Sequence, residues 1–263
     1  MKPFLKWAGG KRWLTAHEYF EAPGKFNRYI EPFLGSGAVF FSMAPNDGIL
    51  SDINGELINL YRVIRDEPVA LLDLMKEHHD RHSKEYYYDI RAEEFSCRIE
   101  QAARTLYLNR TCFNGLYRVN LKGEFNVPIG TKSSVVFPNE DFEIFSGRLQ
   151  HMEIVEADFE TTIDRAQAAD FLYIDPPYTV LHNMNGFVKY NDKIFSWSDQ
   201  IRLRDAIVRA GERKVQILLS NADHPSIREL YEGVGNMMSV PRNSVISGKS
   251  SSRTNTTEIL IEI

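Results

Sequence analysis

The chain has 263 residues, 43% of them hydrophobic, 12% aromatic and 25% charged, which is enough apolar material for a sizeable core and excludes a disordered, collagen-like or coiled-coil protein. Lysine and arginine number 31 against 36 acids, and the resulting net charge of −5 excludes a protein that coats nucleic acid with its whole surface. No run of about eighteen apolar residues is present, and the opening MKPFLKWAGGKRW lacks the apolar stretch of a secretory signal, so a cytoplasmic protein without a membrane partner is expected.

Short apolar runs bounded by turn residues alternate with helical periodicity, the pattern of an α/β fold with a mostly parallel sheet. Strands are predicted at Arg28–Glu31, Gly48–Ser51, Glu153–Glu156, Phe171–Ile174, Val215–Ser220, Met237–Val240 and Glu258–Ile263. After the first of these, Glu31-Pro32-Phe33-Leu34-Gly35-Ser36-Gly37 brings a Gly-x-Gly to the mouth of a helix opening at Ala38. Glycines there let backbone approach a ligand. The third glycine of a dinucleotide fingerprint is replaced by Phe40, so a nucleoside without pyrophosphate fits better than NAD. Asp52, at the end of the next strand, can accept both ribose hydroxyls, or can serve as a helix cap before Asn54.

The alternation then breaks. About a hundred residues separate the second and third strands, far more than a crossover needs, so residues 54–150 form an inserted lobe and 1–53 with 151–263 form the domain that carries it. Within the lobe, helices are expected from Asn54 to Arg65, Pro68 to Arg81 and Ile99 to Cys112. Leu116–Asn120 and Glu124–Val127, joined around Lys122-Gly123, read as a β-hairpin. Further on, Ser198 is a candidate cap for a helix over Asp199–Ala210.

Asp175-Pro176-Pro177-Tyr178 follows the strand Phe171–Ile174, at the carboxyl edge where α/β proteins bind ligands. Two prolines carry no amide hydrogen and fix the turn. The Asp175 carboxylate and the Pro176 carbonyl can then hold both hydrogens of an exocyclic amine, with Tyr178 as a flat face for an aromatic base.

Other signals are weaker. Basic residues gather in three stretches, with Lys2, Lys6, Lys11 and Arg12 in the first, Arg104, Arg110, Arg118, Lys122 and Lys132 in the second, and Arg242, Lys249 and Arg253 in the third. Convergence of these would make a phosphate-tracking face. The segment NSVISGKS, 243–250, is one glycine short of a phosphate loop. His78, His79 and His82 read as a solvated helix face, Trp13 and Tyr86 to Tyr88 as packing, and Cys97 and Cys112 as buried or neutral thiols; no metal site is expected.

Taken together, Lys6-Trp7-Ala8-Gly9-Gly10-Lys11, the Glu31–Gly37 loop, Asp52, Phe113-Asn114-Gly115-Leu116-Tyr117-Arg118, Phe125-Asn126-Val127-Pro128 and Asp175–Tyr178 resemble the DNA adenine methyltransferase (Dam) family, in that family's order and over nearly the whole chain, with Ser250–Arg253 also fitting. The order of glycine loop, recognition lobe and Asp-Pro-Pro-Tyr is similar to the α-type amino-methyltransferases. The resemblance implies a Rossmann-like methyltransferase sheet with an inserted, mainly helical DNA-recognition lobe carrying a β-hairpin. It implies S-adenosylmethionine as cofactor, held by Trp7, Ala8, Gly9, Lys11, Glu31, Phe33, Gly35, Gly37, Asp52, Asp158, Phe159 and Asp175, with phosphate as the alternative partner of Lys11. Asp175, Pro176, Pro177 and Tyr178 become the catalytic turn. Lys6, Asn114, Leu116, Tyr117, Arg118, Asn120, Asn126 and Pro128 become the contacts to double-stranded DNA, Arg118 reading a guanine of GATC. The expected enzyme is a monomer that can pair transiently on DNA, in a restriction-modification, viral or host setting. A methyltransferase for another planar amine, in RNA or on a glutamine, and an inactive DNA-binding protein are the alternatives.

Overall fold

In a computed structural model, the structure describes residues 1–120, 122–181, 195–243 and 255–263, without the side chains of 243, 255 and 256. Two compact units emerge, one of residues 1–12, 34–46 and 52–156, the other of 13–33, 47–51 and 157–263.

The first unit is mainly helical. It contains α1 (Ala38–Met43), α2 (Gly55–Asp66), α3 (Pro68–Arg81), α4 (Lys84–Ala92), α5 (Arg98–Thr111) and α6 (Phe142–Leu149), with strand β3 at Met152–Glu156. Helix α2 starts where Asn54 accepts from the Leu57 amide, carries Glu56 in its first turn and Arg65 in its last, and so satisfies both end charges of the helix. Its apolar face, Leu57, Ile58, Leu60, Tyr61, Val63 and Ile64, is buried, and α2 packs against α5 and α6. Phe4, Phe41, Tyr61 and Phe145 meet edge-on or stacked with ring centroids 5.1 to 6.4 Å apart. One charged pair is enclosed with them: Arg110 donates to both oxygens of Glu140, at 2.7 and 2.5 Å, and to the carbonyls of Val135 and Phe4. Those added bonds are what make a buried ion pair tolerable.

The second unit carries β1 (Tyr29–Glu31), β4 (Phe171–Ile174), β5 (Gln216–Ala222), β6 (Asn236–Asn243) and β7 (Asn255–Glu262), with α7 (Phe159–Ile163), α8 (Trp197–Glu212) and α9 (Pro225–Leu230). With β2 (Gly48–Asp52) and β3 the sheet has seven strands in the order β3-β2-β1-β4-β5-β7-β6. Strands β2, β1, β4 and β5 run parallel, and all four residues of β4 are buried, as befits a strand with neighbours on both sides. The sheet then turns antiparallel, β7 lying between β5 and β6 with Glu258 opposite Ala222 and Val240.

All seven expected strands are present within a few residues, and the sheet is parallel in one part only. Two expectations need correction. Helix α8 begins at Trp197, capped by Ser196 in a reciprocal capping box with Asp199, so Ser198 is not the cap. The histidines of α3 are not simply a solvated face: His78 is buried, its ring stacked on Tyr107 and its Nδ1 2.7 Å from the Tyr86 hydroxyl, while His82 Nδ1 lies 2.8 Å from the Tyr107 hydroxyl. Among the described residues no helix is long and apolar enough to cross a membrane.

Candidate active site and nucleic-acid interface

In the first unit the two glycine-bearing segments come together. Gly35 and Gly37 adopt φ of +47° and +61°, a left-handed conformation that costs other residues energy. A Cβ on Gly35 would stand 2.9 Å from Trp7 Cδ1, and one on Gly37 would stand 2.9 Å from the Tyr61 hydroxyl. The indole thus lies flush against bare backbone, and Tyr61 donates to the Gly35 carbonyl at 3.1 Å. Asp52 closes this loop from its other end: Oδ2 accepts from the Gly35 amide at 3.1 Å and Oδ1 from the Asn54 amide at 3.0 Å. Asn54, not Asp52, caps α2. Burial raises the Asp52 pKa against the lowering pull of these amides. Each carboxylate oxygen has a second lone pair, so a diol can still be accepted. Gly9, at φ +80°, has nothing within 4 Å of its Cβ direction, whereas Lys11 is buried with Nζ 3.1 Å from the Gly9 carbonyl.

The segment after α5 is built on tight backbone. Phe113 donates its amide to Pro128 at 2.9 Å and Gly130 donates to Thr111 at 2.7 Å, on either side of the Cys112–Ile129 bridge. Asn114 and Gly115 both take positive φ, 57° and 64°, and a Cβ on Gly115 would fall 2.8 Å from Lys6 Cδ. Lys6 is anchored by its backbone, which exchanges hydrogen bonds with the Asn109 side chain at 3.0 and 2.7 Å. Its ammonium faces that of Lys132, and this lowers its pKa, burial adding to the effect. Tyr117 stacks on Trp7 with centroids 5.1 Å apart and donates to Glu56 at 3.0 Å. Arg118 is exposed and donates from Nε to Asn126 Oδ1 at 2.7 Å. Asn120 accepts the amides of Lys122 and Glu124 and donates to the Glu124 carboxylate, so it shapes the turn. Among the described residues the expected hairpin carries an antiparallel bridge, Val119 to Phe125, with the Asn120 amide donating to Glu124 and the Asn126 amide to Arg118, and Gly123 at φ +83° in its turn. Leu116 is 37% exposed and the neighbouring Phe113 is 51% exposed.

In the second unit Asp175 to Tyr178 leave the carboxyl end of β4. Ser220 of β5, Oγ donating, holds Asp175 Oδ1 at 2.8 Å. The Tyr178 hydroxyl donates to Glu258 Oε2 at 2.7 Å, and Arg242 pairs with the other oxygen of Glu258. Burial, then the negative charge of Asp175 and Glu258, pushes the Tyr178 pKa well up, so the hydroxyl stays protonated. Glu31 is buried and accepts from Tyr29 at 2.8 Å. Phe33, Phe159 and Phe195 form a ring cluster with centroids 5.4 to 5.6 Å apart. Asp158 caps α7 through the Glu160 amide and pairs with Arg202 at 2.5 Å.

The three basic stretches do not all contribute surface charge. Arg110 and Lys11 are buried, Arg104 pairs with Glu56, and Arg242 pairs with Glu258. Lys249, Arg253, the Ser250–Arg253 segment and all of NSVISGKS except Asn243 lie outside the described residues. Cys112 is buried, which raises its thiol pKa to about 11, while Cys97 is exposed. Residues that hold these arrangements without having been singled out in the sequence are Ser220, Glu258, Tyr61, Asn109 and Glu56. Only Glu258 left a trace, as an acid inside the apolar run Glu258-Ile259-Leu260-Ile261.

Comparison with known proteins agrees with these motifs. Residues 7–246 match the D12 class N6 adenine-specific DNA methyltransferase family. A type II methyltransferase of Lactococcus lactis subsp. cremoris is 41% identical, over 99% of this chain and 95% of its own length. A DNA adenine methylase of Vibrio cholerae is 36% identical over 98% and 95%, and one of Haemophilus influenzae is 38% identical over 88% and 83%. The chain therefore belongs to the D12 class of N6 adenine-specific DNA methyltransferases and is an adenine-specific DNA methyltransferase.

Proposed function

We propose that the enzyme methylates the N6 amine of adenine in GATC duplexes, taking the methyl group from S-adenosylmethionine. The observation that carries this reading is the Asp-Pro-Pro-Tyr turn at the end of β4 with Asp175 fixed by Ser220. The names of the adenine methylases among the relatives support the adenine target, and the Arg118 segment supports a sequence-reading role.

The residues of the glycine loop suit the cofactor chemically. S-adenosylmethionine, when bound, supplies an electrophilic methyl on a sulfonium. Asp52 would accept the ribose hydroxyls; Trp7, Ala8, Gly9, Lys11, Gly35 and Gly37 would offer a ring and close backbone approach. Glu31, Phe33, Asp158, Phe159 and Asp175, in the second unit, are the other residues that the family resemblance assigns to the cofactor. The test for fit is the Trp7–Gly35 contact, where any Cβ would fill the bare surface.

An adenine amine inside a duplex is inaccessible, so the base leaves the stack at a cost of a few kcal/mol. Asp175 and the Pro176 carbonyl then accept its two amine hydrogens, Pro177 keeps the turn rigid, and Tyr178 stacks on the ring. Holding both hydrogens would favour a pyramidal nitrogen with its lone pair free to take the methyl as the methyl–sulfur bond breaks, the surplus amine proton would pass to the Asp175 carboxylate, and fixed approach replaces a two-body encounter. No covalent enzyme intermediate is needed. Lys6, Asn114, Leu116, Tyr117, Arg118, Asn120, Asn126 and Pro128 would contact or support contact with the site, and exposed Phe113 and Leu116 have the apolar character of side chains that wedge between base steps. Residues 54–150 act as the recognition domain, and the enzyme works as a cytoplasmic monomer that pairs transiently on DNA.

The test is transfer of labelled methyl from S-adenosylmethionine to duplexes with and without GATC and to single-stranded RNA, followed by identification of the modified nucleoside. N6-methyladenine confined to GATC duplexes is expected. Asp175→Ala should abolish transfer and leave DNA affinity within a few-fold; an active variant would overturn the amine-holding role.

A further inference from the structure

The Asp-Pro-Pro-Tyr turn has little backbone means of fixing its own tyrosine. Pro176 and Pro177 donate no amide hydrogen bond, so the orientation of Tyr178 depends on what its side chain touches. Its hydroxyl reaches Glu258, on β7 and eighty residues away, at 2.7 Å. Glu258 is 2% exposed and sits in an apolar strand, β7, among Ile259, Leu260 and Ile261, all buried. A carboxylate in such a place costs stability unless both oxygens are engaged. Both are: Oε2 takes the Tyr178 hydroxyl and Oε1 takes Arg242, which stands on β6 two residues beyond Val240, the partner of Glu258 in the ladder. The neighbouring strand repeats the device. Ser220 of β5, in register with Leu260 of β7, donates to Asp175. Two adjacent strands thus grip the first and last side chains of one turn.

We propose that Glu258, clamped by Arg242, is a positioning residue for methyl transfer that fixes the plane of the Tyr178 ring against the target adenine. The inference rests on the reading that the Asp-Pro-Pro-Tyr turn receives that base. It assigns the tyrosine hydroxyl a task separate from that of the ring: the ring offers the face and the hydroxyl sets its angle. Because the base must present its amine lone pair along a narrow approach, a misplacement of about 1 Å can cost roughly a hundred-fold in rate. A phenylalanine at 178 would offer the same face with no tether.

The experiment measures kcat and KM for a GATC duplex, and the fluorescence of 2-aminopurine placed at the target adenine, for the whole enzyme and for Tyr178→Phe, Glu258→Ala, Glu258→Gln and the Tyr178→Phe/Glu258→Ala double variant. Tyr178→Phe removes one oxygen atom and remains informative if Glu258→Ala folds poorly. Expected are kcat losses of roughly ten-fold or more in both single variants, KM within about three-fold, no further loss in the double variant, and partial recovery in Glu258→Gln, which keeps an acceptor. The 2-aminopurine signal should still rise on binding, because extrusion is intact, and should rise further in the variants as the loosened ring quenches it less. A Tyr178→Phe enzyme with kcat within two-fold of wild type overturns the proposal, as do additive losses in the double variant. Asp175→Ala run alongside separates the two failures: if it is inactive while Tyr178→Phe is fully active, only the positioning role falls, and if it is active the reading of the turn falls first.

Discussion

Arg118 is exposed, and its guanidinium is held at one edge by Asn126, through Nε to the side-chain oxygen at 2.7 Å and through Nη2 to the backbone carbonyl at 3.4 Å. Such a hold costs the arginine rotamer freedom before any DNA arrives, which suits the bidentate guanine contact proposed for it. Arg118→Ala should therefore reduce discrimination at one guanine of the site by about 1 to 3 kcal/mol, while non-specific binding weakens less. Competition between cognate and single-substitution duplexes checks it, and unchanged discrimination would remove Arg118 from the reading set. At this scale the sequence was legible wherever the chemistry lies in consecutive residues: the prolines of Asp175–Tyr178 and the glycines of 35–37 declare their backbone consequences. It did not give the partners of Glu258 and Ser220, because the Ser220–Asp175 bond depends on the register of β5 against β4 and the Glu258–Tyr178 bond on that of β7 against β5, which no strand's composition specifies.

Helices α3 and α5 meet around one imidazole. Burial, and then the charge of Arg81, lowers the pKa of His78 from 6.5 to about 4. The unfolded chain takes up this proton first as pH falls, so the stability tied to neutral His78 is complete above pH 6.5 and is lost as pH drops toward 4. The effect is no more than about 3 kcal/mol, reduced by whatever solvent reaches the ring. Urea unfolding between pH 7 and about 4 should show a steeper loss for wild type than for His78→Gln; parallel curves would mean the imidazole titrates normally. Elements with strong periodicity or caps, such as α2, α3 and β4, could be read from residue order. Helix α4 could not, since Tyr86, Tyr87 and Tyr88 in a row show no helical stripe, yet Ser83 caps it and Tyr87 buries against Tyr107. The hairpin was read over Leu116–Asn120 and Glu124–Val127, and among the described residues its pairing runs from Arg118 with Asn126 to Asn120 with Glu124.

Net charge of −5 sits uneasily with a DNA substrate until the exposed cations are counted apart from the buried ones. Besides Arg118, Lys2, Lys6, Arg12, Lys122 and Lys132 are exposed, and if each of these five released one counterion the plot of log affinity against log salt would have a slope of roughly −4.5. A slope much steeper than that, measured on a GATC duplex, would show that phosphates are met by other residues. The α/β class and the strand positions were legible throughout because apolar runs mark them. The order β5-β7-β6 was not, since it requires a later strand to enter between two earlier ones. That order also governs how the enzyme comes into being on the ribosome. Among the described residues strand β6 pairs with β7 alone, and β7 also supplies Glu258 to Tyr178, so a nascent chain that has emerged only as far as residue 254 has two unsatisfied strand edges and a tyrosine without Glu258. Methylation should begin only after β7 has been synthesised and inserted; stalled chains ending at 254 should transfer no methyl groups, and activity in such chains would show that the sheet can work without its penultimate strand.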